Sequence, residues 1–462
     1  MKKTIFIFWT IIIYLLTLSS CDTQDVATPG FTGSLNEYSF FYTEIRDQAW
    51  EEDILFLADK YLSDHPYLAE TPVITEIYTG LDSDVCYEMS GALFDASLRS
   101  SFIDQINELI ISVSSLEDIE IEYELQRIVA SLGDAHSQLA IPMGSMIPVF
   151  FEPILGEDGY DFVVVRAPEE FESIIGSKLI AMNNMLIENI VEELSVYVSY
   201  DNPNGIANKL AAPYSYTLLS QKAALKKINV LETEDEYVEL TLETDNSIQN
   251  VHIPILKIKE IERMSLVCHE MVSAKALRFE KETNYWYTMM EDGTLYVRFR
   301  VMQQALDYSL SRFLTDVDAI LADENAPEKL IIDFRDNMGG DLFRNEMASF
   351  ADRINKSNVQ DVYVLINGNA FSAGITVPYL LASAIENAQL IGSPASHCLN
   401  YCMNTFSYTL PNAGNPFWIS TQYFMSVPNS DTPILEPEII VHQPIEEFNN
   451  KLDSVISYIL EE

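Results

Sequence analysis

The apolar positions of the chain change their spacing twice. From about Ser39 to Leu139 they recur three and four residues apart, in "WEEDILFLADKYLSDHP", "RSSFIDQINELIISVSSL" and "IEIEYELQRIVASLG". That spacing predicts three amphipathic helices, the first stopped by Pro66 and the last by Gly133, packed as a small bundle over 39–141. From Pro142 to about Lys259 the period shortens. "MIPVFFEPI", "YDFVVVRAP" and "SKLIAMNNMLI" read as short strands, a helix follows around "ENIVEELSVYV", and strand-like alternation returns before "NVHIPIL". This is a β-rich module over 142–262.

After about Asn284 strands and helices alternate. "GTLYVRFRV", "KLIIDFRDN", "DVYVLIN" and "AQLIG" read as strands, separated by helical patterns in "LSRFLTDVDAILADE", "LFRNEMASFADRI" and "AGITVPYLLASAIE". Such alternation predicts a layered α/β domain over 263–446, closed by a C-terminal helix over 447–462. The fold class is therefore α/β, with a helical N-terminal part and a β-rich middle. At roughly 150 residues per domain, a chain of 462 residues accommodates this division.

Charge narrows the range of partners. With 27 basic against 70 acidic residues, the surface repels a phosphate backbone, so nucleic acid is excluded as a partner. The N-terminus adds an address. Lys2 and Lys3 precede an apolar run from Ile5 to Leu16 and then small residues, the order of a secretory signal over 1–20. "LSSC" resembles a bacterial lipobox, so Cys21 is the expected lipidation site and 21–38 a polar tether from a membrane of the cell envelope, outside the cytoplasm. Cys86, Cys268, Cys398 and Cys402 remain, and a disulfide or buried thiols are the expected states. "HCLNYC" has no second ligand pair at zinc-like spacing, so no metal is expected.

Three segments could carry chemistry. "LIIDFRDNMGGD" ends a buried strand in Gly339-Gly340, where backbone N–H groups can face an oxyanion or simply make a tight turn. In "NGNAFSAG", Ser372 opens a helix, which suits a nucleophile at the positive helix end and equally suits an ordinary N-cap. In "GDAHS", His136 follows a helix end, as a structural residue or as a general base. His65, His252 and His269 lie in contexts that read as structural.

Taken in chain order, these segments, with "LYVRF", "FSYTLPNAG" and "ILEPEIIV", resemble the tail-specific or C-terminal processing serine peptidases. The resemblance implies a PDZ-like middle module, a catalytic domain of the crotonase/ClpP-like kind and peptide or protein substrates, with no cofactor. It implies Ser372 as nucleophile, and the N–H of Ala373 with that of Gly339 or Gly340 as the oxyanion hole. One branch of the family uses a lysine after the serine, but no Lys or Arg lies between Lys356 and Lys451. The tricorn-like branch uses an earlier histidine and a late acid, which matches His136 and Asp431. Here Ala135 stands where that branch has a serine. His397 is the rival base, and Glu436 and Glu438 are rival acids. The expected activity is a membrane-tethered serine endopeptidase; the alternative is a non-catalytic peptide- or ligand-binding lipoprotein on the same fold.

Overall fold

The structure, a computed structural model, describes residues 43–81, 86–91, 93–213, 217–244, 247–428 and 434–462. The expected signal, tether and Cys21 lie outside these residues, as does Asp431. No described helix is long and apolar enough to cross a membrane.

The six-stranded sheet that carries the site runs in the order Tyr285–Met289, Leu295–Phe299, Lys329–Asp333, Asp361–Ile366, Ala388–Gly392, Ile439–Ile440. Its first pair is antiparallel and the rest are parallel. Helices Leu310–Leu321, Arg344–Lys356 and Ala373–Ala384 make the crossovers between successive parallel strands. Both faces are covered, which explains the near-continuous apolar strands. Leu330, Ile332, Val362, Val364 and Ile366 pack with Phe313, Phe350 and Leu381 of these helices. The alternate positions Tyr296, Ile331, Tyr363 and Leu365 pack on Val455, Ile456 and Ile459.

The middle of the chain forms a seven-stranded sheet around Gly159–Pro168, Lys178–Met182 and Tyr237–Thr244, over a core with Ile190, Leu194, Leu210 and Leu225. It is β-rich, as the alternation implied.

Two expectations are corrected. The N-terminal helices Thr43–Asp64, Ala96–Ser112 and Asp118–Ala130 do not form a self-contained bundle. They close over Leu410, Phe417 and Ile419 of a late hairpin, Asn400–Thr409 and Pro416–Met425. The early strands Val73–Ile77 and Gln138–Leu139 pair with the second strand of that hairpin, in parallel and antiparallel register respectively. The expected C-terminal helix is broken into Ile445–Asn449 and Ser454–Glu461. Lys451 turns left-handed between them (φ 66°), and Asp453 caps the second piece while binding Arg335 at 2.8 Å.

Cys398 and Cys402 are buried free thiols, and Cys268 is disulfide-bonded. His252 pairs with Glu239 at the surface, and His269 stacks on Phe448.

Candidate active site

The loop after strand Lys329–Asp333 is locked from beneath. Burial would raise the Asp333 carboxyl, but Arg335 and Arg298 beside it hold it well below the usual carboxylate range. Arg335 folds back on it with contacts of 2.8 and 3.1 Å, and the Tyr296 hydroxyl donates at 2.7 Å. Asp336, at φ 56°, accepts from the side-chain amides of Asn367 (2.8 Å) and Asn369 (3.0 Å). Asn337 donates to the Phe299 carbonyl and accepts from the Phe371 N–H at 2.9 Å. The motif "DFRDN" thus ties the double-glycine loop to the segment that bears Ser372.

Ser372 occupies the N-cap position of helix Ala373–Ala384 but makes no side-chain capping bond. Its backbone sits at φ 55°, ψ −127°, a region sparsely populated by residues with a Cβ. The hydroxyl is therefore free of the role that a serine usually takes at this place. The strain is held in by close backbone contacts that only glycine allows. A Cβ on Gly374 would stand 2.0 Å from the Asn337 carbonyl oxygen, and one on Gly339 would stand 2.7 Å from that of Phe371.

Two backbone amides are open here. Among the described residues, the N–H groups of Ala373 and Gly340 find no acceptor, whereas Gly339 donates to Asn337 Oδ1 at 2.8 Å. Of the amides named from the sequence, Gly339 is occupied, and Ala373 and Gly340 remain to receive an oxyanion at the positive helix end.

His136 arrives from the opposite end of the chain. Gly133, at φ 66°, ends helix Asp118–Ala130. Asp134 then shapes the turn: its carboxylate accepts from the His136 N–H at 2.9 Å, from Ser137 Oγ, and meets His65 Nε2 at 3.2 Å. Ser137 Oγ accepts from the Ser420 N–H at 3.1 Å, which pins the turn to the hairpin. The His136 ring lies 4.5 Å from that of Phe371 and stacks on Tyr401 at 5.4 Å and 14°. The Tyr401 hydroxyl, pushed up to about 12 by burial, reaches Thr376 Oγ1 (3.2 Å) and the Ser372 side chain. Tyr401 therefore touches both candidate partners. Burial pushes the His136 imidazole down to about 3, so it is neutral and keeps a free ring lone pair.

His397 is fully buried in the same cluster. Its ring stacks on Phe371 at 4.4 Å and lies 4.4 Å from Tyr401 and 5.0 Å from His136. Its Nδ1 is in close contact with Asp201 Oδ2 from the middle module. Sequence reasoning missed Asp201, which sits in the turn-like "YDNPNG" with nothing to mark it. Lys209 Nζ lies over the Phe371 ring at 4.6 Å, with burial lowering its amine below the ordinary range.

His65, Asp134 and Cys402 bring atoms of metal-ligand type within 4.8 Å of one another. They do not fit a metal well. Burial holds the Cys402 thiol protonated, while the Asp134 oxygens already accept from His65, His136 and Ser137.

No protein-family model matches the chain, and no curated protein does. Solved structures do. The structure of mature CPAF complexed with lactacystin matches with a TM-score of 0.57 at 11% identity, covering 90% of this chain and 98% of that chain. A second structure of mature CPAF matches at 0.56 and 11%, covering 90% and 96%. The photosystem II D1 C-terminal processing protease matches at a TM-score of only 0.37 and 10% identity, covering 87% and 96%. The chain shares the fold of mature CPAF. At these identities the likeness is one of fold, and the chemistry has to be argued from the chain's own residues.

Proposed function

We propose that the protein is a serine endopeptidase acting on peptides or proteins outside the cytoplasm, held to a membrane through Cys21. The observation that carries the reading is Ser372 itself: a strained serine at a helix start, excused from capping, followed by the open amide of Ala373 and joined through Tyr401 to a neutral histidine. Ser372 Oγ attacks the scissile carbonyl while His136 takes its proton. The carbonyl oxygen, now negative, is received by the N–H groups of Ala373 and Gly340. His136 then returns the proton to the leaving amine, and a water molecule repeats the sequence to free the acyl group. A third group must hold the His136 ring, and the sequence offered Asp431 for it. The seven-stranded middle sheet, read as a PDZ-like element, would present an extended chain to the cleft by strand addition.

The test is labelling with a fluorophosphonate together with hydrolysis of a denatured protein substrate. Wild type should be labelled on Ser372 and should cut the substrate; Ser372→Ala should do neither. An unlabelled wild type, or a Ser372→Ala protein that still cuts, rejects the assignment and leaves a binding lipoprotein on the same fold.

A further inference from the structure

Four buried polar atoms around Phe371 and Tyr401 lack an aligned hydrogen-bond partner: His136 Nδ1, His397 Nδ1, His397 Nε2 and Asp201 Oδ2. Such atoms are costly when left unpaired, and several together in one place ask for an explanation. Here they lie in a row. Asp201 Oδ2 touches His397 Nδ1, and the His397 ring lies 5.0 Å from the His136 ring. A ring nitrogen stands roughly 1.1 Å from its ring centre and a hydrogen bond spans about 2.9 Å. Two imidazoles bonded edge to edge therefore have centres about 5 Å apart. Small turns of the two rings satisfy all four atoms at once.

We infer that His397, backed by Asp201, is the group that orients His136, forming a chain Asp201–His397–His136–Ser372 in place of a carboxylate placed directly on His136. The inference rests on the serine-hydrolase reading and replaces only its third member. The tautomers follow from the chemistry. His136 must present a lone pair at Nε2 to take the Ser372 proton, so its Nδ1 carries hydrogen and donates to His397 Nε2. His397 Nδ1–H in turn donates to the Asp201 carboxylate. When His136 becomes an imidazolium, its Nδ1–H bond to His397 strengthens, and Asp201 stabilises that bond at one remove. No proton need leave His136 for this to work.

The division of labour between the two histidines agrees with their exposure. His397 is 0% exposed, so neither of its nitrogens meets substrate, whereas His136 is partly open. His397 and Asp201 are thus positioning residues and His136 the base. Asp201 is itself held: its Oδ1 accepts from the Cys398 N–H at 3.3 Å, and the neighbouring Asn202 donates to the Ala395 carbonyl at 2.8 Å. Lys209 is the cation that faces it. Since Asp201 belongs to the middle module and His397 to the segment before the late hairpin, seating of the module also sets the catalytic ring.

The experiment uses the purified chain and measures acylation by a fluorophosphonate, with kcat and KM on a peptide substrate. Asp201→Asn and His397→Gln should each slow acylation and lower kcat by at least about 10-fold, with KM within about twofold of wild type. The double variant should be no slower than the slower single, because the two act as one unit. Asp201→Glu should recover part of the rate. A second measurement does not depend on the variants folding equally well. In wild-type protein carrying 15N-histidine, the His136 Nδ1 proton should appear far downfield and split by coupling to a second ring nitrogen, that of His397. Wild-type turnover in Asp201→Asn and His397→Gln overturns the chain, as does a His136 proton with no such coupling. A wild type that is never labelled rejects the hydrolase reading itself, a separate outcome.

Discussion

Gly339 lies directly against Ser372: a Cβ added to it would stand 2.8 Å from Ser372 Cβ. That distance is shorter than real Cβ contacts tolerate, and the backbone of Gly339, at φ 89°, is one that L side chains rarely adopt. Gly339→Ala should therefore displace Ser372 or the adjacent Ala373 amide. The expected result is an acylation rate reduced by about 100-fold or more, since misplacing reacting groups by about 1 Å costs that much. Gly293→Ala is the control. Gly293 has a similar φ of 91° but open space around it, so it should lose stability without losing the acylation rate of the folded protein. Equal acylation rates in the two variants would show that the contact is irrelevant to the site.

His136 supplies the pH dependence. Its folded value of about 3 lies below the ordinary 6.5, because burial disfavours the charged ring. A base must be unprotonated, so the acid limb of kcat/KM should lie below pH 6.5. Stability carries the same sign. Between about 3 and 6.5 the unfolded chain binds a proton at this position that the native protein does not. This contribution to stability is full above the unfolded value and is lost as pH falls through the window. His136→Gln removes it, so its urea midpoint should drop less than that of wild type between about pH 7 and about pH 5. Parallel drops would contradict the assignment.

Asp53 fastens the first helix to the tip of the late hairpin. It is fully buried and accepts from the N–H groups of Asn412 (2.8 Å) and Ala413 (2.7 Å) and from the Asn412 side chain (3.0 Å). Asp53→Ala strips these donors of their acceptor and should cost about 2–4 kcal/mol of unfolding free energy, measured by urea denaturation. Because Asp53 is remote in role from Ser372, the folded fraction should keep the wild-type kcat. A loss below about 0.5 kcal/mol would mean that water replaces the carboxylate.

Much of this architecture could be read from the chain, and the parts that could not share a physical cause. The parallel strands between Leu295 and Gly392 announce themselves because each is buried on both faces and bounded by helical repeats. Ser372, His136 and the double glycine stood out for their residue types at element ends. The occupied amide of Gly339 was not legible, since it depends on where the Asn337 side chain turns. Nor was the pairing of Val73–Ile77 with Pro416–Met425, because strand alternation says nothing about a partner hundreds of residues away. The break at Lys451 was hidden by an apolar period that continues across it, and its cause, the Asp453–Arg335 bond, is tertiary. His397 was visible only as a rival base, and Asp201 not at all, since their pairing arises where two distant segments dock.

The turn that carries His136 is stitched to the late hairpin through Ser137 and Ser420, and through Gln138–Leu139 on Phe417 and Trp418. A ribosome delivers this chain from its N-terminus, so the histidine emerges long before either the serine or the strand that seats the histidine turn. No nascent or truncated chain that ends before the hairpin can hold His136 against Ser372. For the exported hydrolase proposed above, incompleteness is itself a safety catch: the proposed bond-cutting centre comes into being only when the last third of the chain has folded back onto the first.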